Sequence, residues 1–426
     1  MKKFLSGVGV VLAAVGLFSA GAWAKEGGKT IQFWHAMTGE NEAVLKDIAA
    51  KFNAQDEYNV ELVFQGHYRD LFAKLEGAAK ANNMPALAMI YNNRLVSYVL
   101  NGFAQPLDDM MADPKNGFTK EELADIPEFL RESSVWDGKH YALPFNKGTF
   151  LLLYNKKMLA DKHIAVPTTW AELEAAAKAL TDPEHKVYGL AFNQSVMIDG
   201  SQWVEQAGGH VYDEANDKIT FNEEPGVKAY EFLVGLIRIG YARIAREEKY
   251  ITGPFGRGEA AMGITQMSQL PNINEACKAG GIEYGAAPLP KDVRSASLFS
   301  GTNVAIFNTC PEADRQAAFR FLKFFLKPEN QWEWGTRSGY LPLSWQILKS
   351  DKFKAFAEKE DPGKLAALPA FENGFIDPRI VNGYAIHDNM SKALDAILLE
   401  NKPIKQALDD AAAQAWKEIL EARKAF

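Results

Sequence analysis

Side chains suited to gripping a small molecule stand in this chain where extended segments stop: Trp34 and His35, Tyr68, Tyr91 and Asn92, the run Asn146-Lys147-Gly148, Gly301 and Tyr340. Amides, phenols and glycine backbone offer hydrogen bonds and apolar faces rather than a nucleophile. The groupings that announce bond-making chemistry do not occur. The seven histidines are scattered, with no His-Glu-x-x-His pair and no close His/Cys spacing, so no metal is expected. There is no Gly-x-Ser-x-Gly, phosphate-loop or dinucleotide fingerprint, and no cofactor is expected. "FGRGEAAMG" is glycine-rich but lacks a Lys-Ser/Thr ending, and reads as a turn into a strand around Met262. Each candidate also has a plain structural role open to it. Trp34 and His35 can end a buried strand by packing, and Asn92 and Asn146 can cap turns.

The elements that must position these residues emerge from periodicity. "TIQFWH" is a short apolar strand, and Val44, Leu45, Ile48, Ala49 and Phe52 then line one helical face. "YNVELVF" alternates through Val60, Leu62 and Phe64, a helix comes next from about 68 to 81, and "ALAMIY" is a buried strand. That rhythm predicts an α/β domain with a largely parallel sheet. Near residue 140 the texture changes. "KHYALPFNKGTFLLLYNKK" is two extended runs separated by a polar, Gly-containing break, and Thr169-x-x-Glu172 is a capping box opening a new helix. After about Ser300 the chain returns to a strand, "GTNVAIFN". A helix with Ala318, Phe321, Leu322, Phe325 and Leu326 on one face comes next, and the turn Ser338-Gly339-Tyr340-Leu341-Pro342 closes this stretch. The expectation is two α/β lobes, one of residues 25–143 with about 299–337, the other of 144–298 with about 338–426 and its C-terminal helices. Short crossings near 140–148 and 298–303 would form a hinge, with a ligand crevice at the carboxyl ends of the strands.

Bulk properties narrow the setting. The 426 residues are 47% hydrophobic and 24% charged, and the net charge of −7 without a basic stripe argues against nucleic acid. Lys2 and Lys3, an apolar run, and Ala22-Trp23-Ala24 read as a signal peptide spanning 1–24. No cysteine lies in those residues to carry a lipid, so a periplasmic protein, not a lipoprotein, is expected. The two cysteines, Cys277 and Cys310, either pair as a disulfide or remain buried thiols.

At these positions the chain resembles the family 1 extracellular solute-binding proteins of ABC importers, and most closely their glycerol-phosphate-binding members. "IQFWHAMTGE", "FNKGTFLLLYNK", "PTTWAELEAAAKAL" and "FLKFFLKPENQWEWGTRSGYLPLS" carry the likeness, which runs from about residue 31 onward. The resemblance implies a two-lobe periplasmic-binding-protein fold with a hinge and an interlobe ligand cleft. It implies ligand contacts from Tyr68, Tyr340 and Gly301, with Gly148 where those relatives have serine. Other positions depart: Asn92 replaces a glutamate, Gln266 a serine, Gln194 and Met197 two tryptophans, and His387 an arginine, with Arg379 eight positions earlier. Lys147, and Arg94 if it turns inward, would add cations, so the expected ligand carries a phosphate or other anionic group held partly by Lys147. The function so implied is capture of glycerol 3-phosphate or a related phosphorylated or glycerophosphodiester compound, by a monomer that delivers it to an inner-membrane permease. An oligosaccharide-binding protein of the same class is the alternative. A secreted glycoside or phosphodiester hydrolase using two carboxylates is a remote one, since no acidic residue is singled out at the expected cleft.

Overall fold

A computed structural model describes residues 28–197 and 200–424; the signal-peptide segment lies outside the described residues. Two five-stranded sheets organise it. In chain order the strands are β1 (Lys29–His35), β2 (Tyr58–Phe64), β3 (Leu87–Ile90), β4 (Ala142–Pro144), β5 (Phe150–Asn155), β6 (Tyr188–Asn193), β7 (Ala242–Ala245), β8 (Ala260–Gln266), β9 (Tyr284–Ala287) and β10 (Asn303–Ile306). The first sheet runs β2-β1-β3-β10-β4 and the second β7-β6-β8-β5-β9. Each has three parallel strands followed by two that pair antiparallel. In each sheet the fourth strand, β10 or β5, directly succeeds a passage of the chain from the other lobe.

Side-chain alternation explains how the sheets are covered. Leu87 through Ile90 are all buried, as a strand with helices on both faces requires. Along β5, Phe150 and Leu152 enter one core and Leu151 and Leu153 the other. The helix Gly39–Asn53 buries Val44, Leu45, Ile48, Ala49 and Phe52, and Thr169 and Glu172 form the expected capping box. Phe64 departs from its expected inward face and is 47% exposed, because β2 is an edge strand and only its first half lies over the core.

The second lobe's C-terminal boundary is less simple than the sequence suggested. The helices Tyr384–Leu399 and Ile404–Arg423 do pack on the helix Glu224–Ile239 of the second lobe. Residues between them and Arg337, however, touch both lobes. Gln346 N donates to Asp125 Oδ1 at 2.7 Å in the first lobe, while the helix Pro362–Ala367 packs on β9 and β5 in the second. Cys277 and Cys310 are both free thiols, the first buried in the helix Leu270–Gly280, the second just before the helix Glu312–Phe325. Burial pushes the Cys277 thiol up to about 11, so it stays protonated.

Candidate functional site

Between the lobes lies a cleft of about 840 Å³. Its first-lobe wall is made by the segments just past β1, β2 and β3: Met37 to Asn41, His67 and Tyr68, and Tyr91 to Asn93. Its second-lobe wall lies past the ends of β7 and β8, with Glu248, Tyr250, Gln266, Ser268 and Gln269. Ser300, Gly301, Tyr340, Asp377, Tyr384 and His387 are among the other residues that line it. Carboxyl ends of parallel strands thus face each other across the gap, the usual location of a ligand in open α/β sheets.

The floor is the hinge. Segments 145–149 and 298–302 run side by side, with Phe145 N donating to Thr302 O at 3.2 Å and Gly148 and Ser300 exchanging bonds of 3.2 and 3.0 Å. Asn146 knits this ladder to the first lobe. Its Oδ1 accepts from Thr302 N at 2.6 Å and Oγ1 at 2.7 Å, and its Nδ2 donates to the Tyr68 hydroxyl at 2.9 Å. Gly301 has φ +114°, and a Cβ there would lie 1.7 Å from Asn146 O, so only glycine fits.

Tyr340 is placed by the turn that the sequence singles out. Leu341 N donates to Lys147 O at 3.0 Å, Gly339 N to Asn41 Oδ1 at 2.9 Å, and the buried Lys364 ammonium to Ser338 O and Tyr340 O at 2.6 and 3.0 Å. The Tyr340 ring stacks on Trp334, centroids 5.6 Å apart and planes within 1°. Trp334 is therefore core, whereas Trp332 is half-buried against Phe353 and Phe356. Burial raises the Tyr68 and Tyr340 phenols above their ordinary range, so both stay neutral.

Of the residues expected from the sequence, Tyr68, Asn92, Gln266, Gly301, Tyr340 and His387 line the cleft. Asn92 Oδ1 accepts from Asn303 Nδ2, and Gln266 Nε2 bonds Ser300 Oγ while its Oε1 accepts from Ser268 Oγ at 2.7 Å. Gly148 lies just beneath the lining. A Cβ on it would meet the Met267 side chain at 2.9 Å, so Met267 fills the space a serine would need.

The expected cations are elsewhere. Lys147 is 1% exposed and its ammonium donates to Gly301 O at 3.2 Å inside the hinge, where desolvation lowers its pKa to about 7. Arg379 donates to the carbonyls of Glu132 and Val135 at 3.0 and 3.2 Å, fastening the C-terminal segment to the first lobe. Arg94 lies over the Phe72 ring at 4.8 Å and pairs with Glu76 at 3.4 Å. Among the described residues that line the cleft, none is lysine or arginine. Trp34 and His35 do not line it either. Trp34 Nε1 donates to Gln32 Oε1 at 3.2 Å, and His35 is buried beside Phe33 and Phe64, its Nδ1 accepting from Met37 N at 3.2 Å. Burial holds His35 down to about 4, hence neutral. Met197 is core, and Gln194 is exposed outside the lining.

Several lining residues escaped sequence reading. Glu248 and Tyr250 come after β7, so the strand-end rule that found Tyr68 would have found them once "ARIA" was read as a strand. Asp377 had no such signal, since only the two-residue strand Gly374–Phe375 precedes it. Its Oδ1 lies 3.0 Å from Ser201 Oγ and 3.2 Å from His387 Nε2. Burial works to raise this carboxyl, but the imidazole and the two hydrogen bonds outweigh it and hold it below the usual carboxylate range. Serine, histidine and aspartate meet here without forming a nucleophilic relay. The Ser201 hydroxyl donates to the carboxylate itself, whereas a relay needs it to donate to an imidazole.

Known proteins share this two-lobe fold. The chain is 25% identical over 421 residues to the sn-glycerol-3-phosphate-binding periplasmic protein UgpB of Pectobacterium atrosepticum, covering 93% of this chain and 92% of that one. UgpB from Mycobacterium tuberculosis, solved in complex with glycerophosphocholine, superposes with a TM-score of 0.79 at 21% identity over 94% of this chain and 100% of the other. The cyclic α-maltosyl-1,6-maltose binding protein from Arthrobacter globiformis gives 0.78 at 21% identity over 91% and 98%. Both structures share the two-lobe fold. The sequence model for bacterial extracellular solute-binding proteins matches residues 47–362, and this chain belongs to that family.

Proposed function

We propose that this protein is the capture subunit of an ABC importer, exported to the periplasm, and that its cleft closes on a small, uncharged, polyhydroxylated ligand of the sugar or polyol class. Proteins of this family bind small molecules and deliver them to a membrane permease, and the same role is assigned here, with an inner-membrane permease as partner and no bond made or broken. The observation that carries the choice of ligand is the lining of the cleft. It has acceptors in Glu40, Glu248 and Asp377, amides in Asn41, Asn92, Asn93, Gln266 and Gln269, and no lysine or arginine among the described residues. Carboxylates and amides match the alternating donors and acceptors of hydroxyl groups. Tyr250 and Tyr384, 45% and 41% exposed, add ring faces on which an apolar sugar face can lie. Contacts from both walls favour the closed form, so binding and closure are one equilibrium.

A phosphorylated glycerol compound is the second reading. The helix Asn92–Leu100 opens on the cleft with no acidic residue in its first turn, and a helix N-terminus favours an anion. The likeness to sn-glycerol-3-phosphate-binding proteins points the same way.

A thermal-shift comparison of maltotriose, sn-glycerol 3-phosphate and glycerophosphocholine separates the two. A ligand at 100 times its dissociation constant stabilises by about 2.7 kcal/mol when it binds only the native state. Stabilisation by maltotriose is expected; stabilisation by the two phosphate esters alone would transfer the assignment to the second reading.

A further inference from the structure

Among the described residues that line the cleft, Asp377 is the one carboxylate held by a serine and a histidine rather than by a surface arginine. Glu40 is paired with Arg337, and Glu248 with Arg243 and Arg257. Ser201 and His387 both reach Asp377 through Oδ1, leaving Oδ2 as the oxygen available to a ligand. Ser201 is fully buried at the start of the helix Ser201–Gln206 and His387 is buried in the first turn of the helix Tyr384–Leu399, so both anchors are fixed by packing. The Asp377 side chain, 27% exposed, is partly open to the cleft.

We propose that Asp377 determines specificity: its Oδ2 accepts a ligand hydroxyl, while its Oδ1 occupies the Ser201 and His387 donors that an anionic group would otherwise take. The carboxylate is in effect a resident anion. A phosphate entering this side of the cleft meets like charge and finds the donors already engaged, and like-charge contacts are strongly discriminating. A hydroxyl donor meets an acceptor whose orientation is already set, so little ordering is needed on binding. This inference rests on the reading of the ligand as uncharged and polyhydroxylated, but it is a statement about charge preference and can be tested apart from it.

The test is the ratio of affinities for maltotriose and sn-glycerol 3-phosphate, measured by calorimetry on the wild type and on Asp377→Asn. The amide is isosteric and its oxygen still accepts from Ser201, so the fold is retained; circular dichroism and the melting midpoint check this. Ser201→Ala, which leaves the charge but loosens its anchor, is the second variant. Asp377→Asn is expected to shift the ratio at least about tenfold toward the phosphate ester, and Ser201→Ala to weaken maltotriose severalfold without that shift. An unchanged ratio in Asp377→Asn overturns the proposal, as does failure of both probes to bind both proteins. If the wild type binds glycerol 3-phosphate alone and Asp377→Asn binds it at least tenfold tighter, the ligand reading falls and the role of Asp377 stands.

Discussion

Lys147 and Asp377 together show what single residues disclose. In sequence, Lys147 stands beside the glycine of a predicted crossing and reads as a ligand cation, yet its ammonium is turned into the hinge and held by one carbonyl. Nothing in the one-dimensional pattern tells which way a side chain points from an irregular segment, because neither a period of two nor of 3.6 applies there. Its burial has a measurable consequence. The folded value, about 7, lies below the ordinary 10.5. Between those pH values the unfolded chain binds more protons, so stability rises with pH across the window, and below pH 7 the full desolvation cost remains. That cost is at most about 5 kcal/mol, and losing the bond to Gly301 subtracts about 1 kcal/mol from the gain on removing the charge. Lys147→Met is therefore expected to raise the unfolding free energy by about 2–4 kcal/mol at pH 6, with the advantage shrinking toward pH 10. Denaturant titrations at the two pH values check it; equal stability at pH 6 would contradict the account of this lysine.

At the scale of elements, the legible parts were those with periodicity and turn chemistry. The helix Glu312–Phe325, the buried strand β3, the capping box at Thr169 and the turn into Tyr340 all carry local signals that tertiary packing reinforces. The strand-end rule located Tyr68, Asn92 and Gly301 at the cleft because the sheets set the carboxyl ends of their parallel strands toward one gap, whereas Tyr340 came from its turn and Gln266 from the family likeness. The segment around Asp377 was opaque for the converse reason: its position depends on a two-residue pairing with Ser297–Leu298, a long-range contact with no local pattern. The hinge ladder makes its own prediction. Gly301→Ala puts a Cβ 1.7 Å from Asn146 O at φ +114°, so the ladder must open. A loss of about 3 kcal/mol or more in unfolding free energy is expected in urea titrations. Ligand binding should weaken as well, because Asn146 also fixes Tyr68. A variant of wild-type stability would mean that this crossing is not under steric constraint.

For the whole molecule, two sheets of like topology, joined through a bonded pair of crossings, set the carboxyl ends of their parallel strands face to face. The pairing of Arg379 with first-lobe carbonyls and the attachment of residues around Gln346 to Asp125 add further links between the lobes, so closure is a rotation about several short connections rather than motion on a tether. Such a molecule is built to enclose a ligand, and the proposed capture role has it release that ligand unchanged. Calorimetric titration of the purified protein with maltotriose, followed by chromatography of the recovered sugar, tests this most directly. The account predicts saturable binding of one ligand per chain and quantitative recovery of intact maltotriose. Continuous heat without saturation, with shortened products in the eluate, would contradict it and mark the protein as a hydrolase.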